Sequence, residues 1–203
     1  MAGNRTHREA ELAAVAAEAA GCTGCDLYRR ATRTVFGEGP VDAKLMLVGE
    51  QPGDREDIAG HPFVGPAGRL LSDALAEAGI GPGEAYVTNA VKHFKWKARG
   101  KRRIHEKPNA VEIQACATWL EQELQLVRPR VVVCLGTTAA RTVLGRPTTI
   151  SSVRGQVLDD HDPPVVVTIH PSAVLRAREG NDRAALRSGL VADLALARDA
   201  AGA

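Results

Sequence analysis

Aromatic side chains are scarce in this chain: Phe, Trp and Tyr together make up 3% of its 203 residues. With 44% of residues still apolar, the core has to be assembled mainly from Ala, Val, Leu and Ile. No stretch approaches the roughly eighteen unbroken apolar residues of a membrane-crossing helix, so no such helix and no membrane partner is expected. The segment Met1 to Glu9 lacks the basic start, apolar middle and small-residue cleavage site of a secretory signal, so a cytoplasmic protein is expected. Internal repeats, low-complexity linkers and any oligomerisation signal are missing as well. The expectation is one domain over 1–203, with an N-terminal helix and cysteine segment in about 1–40, acting as a monomer.

Cysteine is also sparse, with Cys22, Cys25, Cys116 and Cys134 the complete set. A reducing compartment argues against two structural disulfides. Cys22-Thr-Gly-Cys25 is either a redox pair or one half of a metal clip, and the other two cysteines could complete a four-thiolate site. Four thiolates suit zinc or an iron–sulfur cluster. Zinc ribbons usually show two such pairs, but spacing alone leaves the choice open, and four unrelated buried thiols fit the count equally well.

Net charge is small at +2, yet it is unevenly spread. Lys92 to Lys107 carries eight Lys or Arg residues against the single acid Glu106, a local +7 that leaves −5 for the rest. A basic segment on an acidic body suits phosphates, though a solvated loop of this composition is the plainer alternative.

Four short apolar runs, Lys44–Val48, Ala85–Thr88, Arg130–Leu135 and Pro164–Ile169, read as buried strands. They alternate with helices over His7–Ala20, Ala67–Ala78, Pro108 to about Val127, Thr137–Leu144 and Arg183–Ala200. This predicts an α/β fold, a three-layer αβα sandwich around a four-stranded parallel sheet. Ligands in such folds sit beyond the carboxyl ends of the strands. The unusual polar sequences all follow strands there: Gly49–Gly68, Asn89, Gly136 and His170.

Gly49–Leu71 (GEQPGDREDIAGHPFVGPAGRLL) is rich in Gly and Pro but wrongly spaced for a dinucleotide or P-loop motif. Phe63 within it is either a lid over the core or a face for a base to stack on. Asn89 ends a strand and offers both a donor and an acceptor, enough to read a nucleobase edge, although a lone Asn is more often a turn residue. Lys101-Arg-Arg-Ile-His105 forms a third motif and His170-Pro-Ser172 a fourth.

Taken together, these motifs resemble the uracil-DNA glycosylase superfamily, and family 4 within it, over roughly Gly21 to Ala197. Two departures, Gln51 in GEQPG and the added KRRIH segment, are similar to the UdgX branch, which bonds itself covalently to uracil-containing DNA. The resemblance implies a base-excision DNA repair enzyme acting on uracil in DNA, especially single-stranded DNA, and releasing free uracil. It implies that the base is flipped out, with Phe63 stacking on it, Asn89 pairing with its edge and His170 stabilising the departing uracil anion. His105 would then attack the sugar C1′ in place of water, with Glu50 orienting it or accepting its proton. Gln51 would hold either the base or Glu50. Lys101, Arg102, Arg103 and Ser172 would contact DNA, with Lys95 and Lys97 adding charge. Cys22, Cys25, Cys116 and Cys134 become ligands of a structural 4Fe-4S cluster, and the cytoplasmic protein would sit on the nucleoid when bound. An ordinary family-4 hydrolase with turnover, and a non-catalytic iron–sulfur DNA-binding protein, are the competing expectations.

Overall fold

The computed structural model describes residues 2–178 and 180–203. Helix α1 (Ala2–Ala20) leads through a 3-10 turn at Asp26–Arg29 to strand β1 (Leu45–Gly49). Then come α2 (Asp54–Ala59), α3 (Pro66–Glu77), β2 (Ala85–Asn89), β3 (Trp96–Arg99), β4 (Arg102–His105) and α4 (Ala110–Val127). The chain finishes with β5 (Val131–Leu135), α5 (Thr137–Leu144), α6 (Ile150–Val153), β6 (Val157–Leu158), β7 (Val165–Thr168), α7 (Pro171–Arg176) and α8 (Asn181–Ala201). Among the described residues, no helix is long and apolar enough to cross a membrane.

The main sheet has the order β2-β1-β5-β7-β6. Its first four strands are those expected from the apolar runs, and all four are parallel. A fifth, β6, adds antiparallel to the β7 edge, so the sheet has five strands rather than four. Two residues are too few to carry a periodic signal, which is why β6 escapes a reading of the sequence.

Strand alternation then builds both faces. Leu45, Leu47, Val131, Val133 and Val166 pack against Leu71 and Ala74 of α3 and Leu190 and Leu194 of α8. Met46, Val48, Val132, Cys134, Val165 and Val167 face the other way, toward Leu120 of α4 and Ala139 and Ala140 of α5. Each fully buried Leu or Val of these two layers contributes about 1.5–3 kcal/mol. This is the three-layer αβα arrangement.

The basic segment is not a loop. β3 and β4 pair antiparallel as a hairpin with Trp96 opposite His105 and Ala98 opposite Arg103, turning at Gly100, whose φ is +59°. Because side chains alternate across a strand, Trp96, Arg103 and His105 share one face of the ribbon and Arg102 takes the other. That single rule decides which basic residues look inward.

Helix α4 starts with a capping box: the Asn109 side chain accepts from the Glu112 amide at 2.9 Å, and Glu112 accepts from the Asn109 amide at 2.7 Å. The cap fixes where Cys116 emerges, one turn further on.

Candidate active site

A cavity of about 890 Å³ opens at the carboxyl ends of β1, β2, β5 and β7, and Glu50, Gln51, Phe63, Asn89, His105, His170 and Ser172 all line it. The polar strand ends therefore meet in one place.

Two glycines make room for this convergence. A Cβ on Gly49 would stand 2.3 Å from Asn89 Oδ1 and 2.8 Å from Phe63 Cζ, so any side chain there would displace both. A Cβ on Gly68 would stand 1.6 Å from the Phe63 carbonyl oxygen. Phe63 itself is in the left-handed region at φ 56°, a conformation that costs a bulky residue energy and aims its ring into the cavity wall. Its ring centroid lies 6.4 Å from that of His170, at 28° between planes. Asn89 is 3% exposed, lines the cavity, and its side chain makes no hydrogen bond to another side chain or backbone group among the described residues.

His170 caps α7, its Nδ1 accepting from the Ser172 amide at 3.2 Å, with Ser172 Oγ at 2.8 Å. An Nδ1 that accepts from an amide leaves the proton of the neutral ring on Nε2. Burial above all, then the Arg176 and His105 charges, pushes the His170 pKa down to about 4, so the ring is a neutral donor near neutral pH. Ser172 also accepts from Arg176 Nη1 at 2.8 Å. Its hydroxyl thus organises His170 and Arg176.

His105 is half exposed, and its Nε2 lies 3.5 Å from Glu50 Oε1. The other Glu50 oxygen accepts a hydrogen bond from the Thr138 hydroxyl at the start of α5. Partial burial is the main force lowering the His105 pKa below its usual value, with Arg176 adding to it and Glu50 opposing. The ring is therefore uncharged at neutral pH.

Gln51 does something other than expected. Its Nε2 donates to the carbonyls of Lys95 and Glu106, both at 3.1 Å, and its Oε1 accepts from the Lys95 amide at 3.2 Å. Both amide hydrogens are used on the hairpin, which leaves none to donate to a base or to Glu50. It grips the neck of the hairpin, one flank before β3 and the other after β4.

Arg103 departs from expectation too. Its guanidinium donates to Asp54 Oδ1 at 2.6 Å, to Asp57 Oδ2 at 2.5 Å, to Thr32 Oγ1 at 3.2 Å and to the Asp54 carbonyl at 3.3 Å. It ties the inner face of the hairpin to α2 and has little left for a phosphate. Lys92 is wholly buried, Lys95 pairs with Glu112 at 2.9 Å and Lys97 with Glu106 at 3.4 Å. Lys101 and Arg102 are exposed and make no ion pair among the described residues. The cationic surface is thus smaller than the count of charges suggests.

The cysteines divide three to one. Cys25 and Cys116 lie together in a small apolar cluster with Leu27, Val91 and Ile113. The Cys116 thiol is pushed up to about 11, chiefly by burial, and Cys22 and Cys25 add to the shift. The Trp119 indole donates to Cys22 Sγ at 3.2 Å. Cys134, by contrast, is wholly buried on the α5 side of β5, and burial alone raises its pKa. It is a core residue, so the expected four-cysteine set does not assemble. Among the described residues, no group of three or more His, Cys, Asp or Glu is placed to hold a single metal ion. His93 is 3% exposed, follows the residue whose amide bonds Cys116 sulfur, and has a buried Nδ1 with no partner, while its Nε2 meets Thr34 Oγ1 at 2.9 Å. A buried ring nitrogen without a partner is the kind of donor that a metal cluster takes.

Thr138, Arg176, Asp54, Asp57 and His93 were all missed by the sequence reading. The two aspartates at i, i+3 of a short helix were the only available signal.

Similarity to known proteins agrees with this geometry. Residues 36–195 match the uracil DNA glycosylase superfamily. The chain is 37% identical over 164 residues to a type-4 uracil-DNA glycosylase of Thermotoga maritima, covering 80% of this chain and 82% of that one. It is 37% identical over 162 residues to a type-4 uracil-DNA glycosylase of Archaeoglobus fulgidus, covering 76% and 78%. A third, from Pyrobaculum aerophilum, is 34% identical over 183 residues and covers 86% and 87%.

Proposed function

The chain belongs to the uracil DNA glycosylase superfamily, and on that premise we propose that it excises uracil from DNA and is captured on the sugar by His105, in the manner of the UdgX branch. One observation carries this reading: a half-exposed His105 faces Glu50 at 3.5 Å in the cavity that also holds Asn89, Phe63 and His170.

A uracil flipped into the cavity presents an N3–H donor and an O4 acceptor to Asn89, whose carboxamide supplies the complementary pair. Cytosine reverses both. Phe63 covers the base face. As the bond from N1 of the base to C1′ lengthens, its electrons move onto the uracil, and His170 Nε2–H donates to the oxygen where they collect. The lone pair of the His105 ring then forms a bond to C1′. The resulting imidazolium loses its single N–H proton, on the nitrogen that did not attack, to Glu50 or to solvent, and the uracil anion takes up a proton and leaves. Imidazole on C1′ is a carbon–nitrogen bond of the same class as the one broken, so the adduct persists.

The DNA would run over the outer face of the hairpin, where Lys101 and Arg102 meet phosphates without reading sequence. Single-stranded substrate avoids the cost of unpairing the base. Cys22, Cys25 and Cys116, with His93 Nδ1 in place of Cys134, would hold a four-iron, four-sulfur cluster, which when bound would supply a structural tie between the end of α1 and α4. We take residues 1–203 as one domain acting as a monomer.

Turnover to an abasic site, with water attacking in place of His105, is the second reading. It is favoured by the names of the three relatives given above, each a type-4 uracil-DNA glycosylase. Incubation with uracil-bearing single-stranded DNA and a denaturing gel separates the two. A heat-resistant shifted band supports capture by the protein, while free uracil with an abasic strand and no shift supports turnover.

A further inference from the structure

Lys92 and Glu123 pair at 2.5 Å with both side chains 0% exposed. Stripping water from two charges is expensive, and for packing alone an apolar pair of similar volume serves as well or better. The ions hold polar groups instead. Glu123 accepts from the Gly37 amide at 2.9 Å, the Tyr86 hydroxyl at 3.1 Å and the Thr88 hydroxyl at 2.9 Å. The three ammonium hydrogens of Lys92 go to Glu123, to Thr88 Oγ1 at 2.6 Å and to the backbone carbonyl of Asn89 at 2.8 Å.

Asn89 is the last residue of β2, and the chain leaves the sheet directly after it. The Ala90 and Val91 amides still bond the Gly49 and Glu50 carbonyls at 2.9 and 3.0 Å. The Asn89 carbonyl itself is taken by Lys92. Backbone on one side and ammonium on the other thus determine the peptide plane from which the Asn89 side chain departs.

We propose that the Lys92–Glu123 pair is a positioning device for base recognition, fixing the Asn89 backbone so that its carboxamide meets the uracil edge. Lys92 and Glu123 touch no substrate; they act through Asn89 and Thr88. The inference rests on the reading of Asn89 as the base-pairing residue. Because pairing with the base is present before and during bond breaking, its loss appears in binding more than in the chemical step.

The test uses a single-stranded oligonucleotide with one uracil under single-turnover conditions, reading the half-saturating protein concentration and the maximal rate separately. Lys92→Met with Glu123→Gln removes both charges while leaving an acceptor for Gly37, Tyr86 and Thr88. The half-saturating concentration should rise about tenfold, the size expected for a buried hydrogen bond lost, with the maximal rate changed less than about threefold. Glu123→Gln alone should move the same way by less, and serves if the double variant does not fold. Asn89→Ala is the companion. If Asn89→Ala weakens binding and a folded Lys92→Met/Glu123→Gln protein binds like the parent, the pair is structural only and the proposal is overturned. If Asn89→Ala leaves binding untouched, the base-pairing reading falls and this inference with it.

Discussion

Gln51 Nε2 donates to the carbonyl of Glu106 at 3.1 Å, and Glu106 directly follows His105. The two features on which the resemblance to the UdgX branch rests, a Gln in the first motif and the basic KRRIH segment, are therefore one mechanical unit. A clip on β1's loop holds the strand that delivers the candidate nucleophile.

Gln51→Ala should accordingly loosen the hairpin without touching the base site. Three hydrogen bonds are lost, worth about 0.5–1.5 kcal/mol each when partly buried. The expected outcome is a fall in adduct yield of about tenfold or more with uracil release largely kept, read from the ratio of shifted band to free uracil. An unchanged ratio would mean the clip does not place His105.

Arg102 and Arg103 are neighbours in sequence with different tasks. Arg102→Ala should lower the slope of log binding against log salt by about one, as for a lost phosphate contact. Arg103→Ala should leave that slope nearly unchanged but lower stability by about 3 kcal/mol, because it strands Asp57, whose side chain is 0% exposed. Arg103→Lys should rescue poorly, since one ammonium cannot span the two aspartates as a planar guanidinium does. Salt titrations and thermal melts of the three variants check this.

The cluster assignment makes opposite predictions for two residues. Cys134→Ser should keep the visible absorbance of the purified protein, whereas Cys116→Ser should lose it. His93→Cys should keep an absorbing cluster while changing its electron paramagnetic resonance after reduction, and nitrogen hyperfine coupling should be present in the parent and absent in that variant. Bleaching by Cys134→Ser, or no nitrogen coupling in the parent, would restore the four-cysteine set.

Much of this was legible in the sequence, and the failures have physical causes. The buried strands announce themselves as runs such as Val131–Leu135, and strand ends in such sheets gather ligand-binding residues, which brought Glu50, Asn89 and His170 together on paper. The hairpin stayed hidden because Lys97 to Arg103 has no apolar alternation; it is held by Gln51, Arg103 and the stacking of Arg30 on Trp96, with 4.5 Å to the ring centroid. Cys134 completes a four-thiolate count in the sequence, but a count carries no information about which face of the sheet a thiol takes. Its position between Val133 and Leu135 in a fully buried strand already committed it to the core. His93 carries no ligand pattern in the sequence; its unpartnered buried Nδ1 is what singles it out.

Acid should slow adduct formation with a definite sign. Protonation removes the lone pair that attacks C1′, and the folded His105 pKa lies below 6.5 through burial and Arg176. The rate should stay level as pH drops to about 6.5 and fall only beyond it. His170, at about 4, remains neutral across that window, so the fall belongs to His105. Arg176→Gln should move the midpoint upward by removing a lowering charge. A rate independent of pH from 7 down to 5, or a midpoint unmoved by Arg176→Gln, would count against a neutral imidazole nucleophile.

The most direct measurement is mass spectrometry of the peptide carrying His105 after reaction with uracil-containing single-stranded DNA and nuclease digestion. The account predicts the mass of a deoxyribose phosphate remnant on His105 itself, absent in His105→Ser, which should instead release uracil. A remnant on any other residue, or uracil release by the parent with no remnant on the protein, would contradict it.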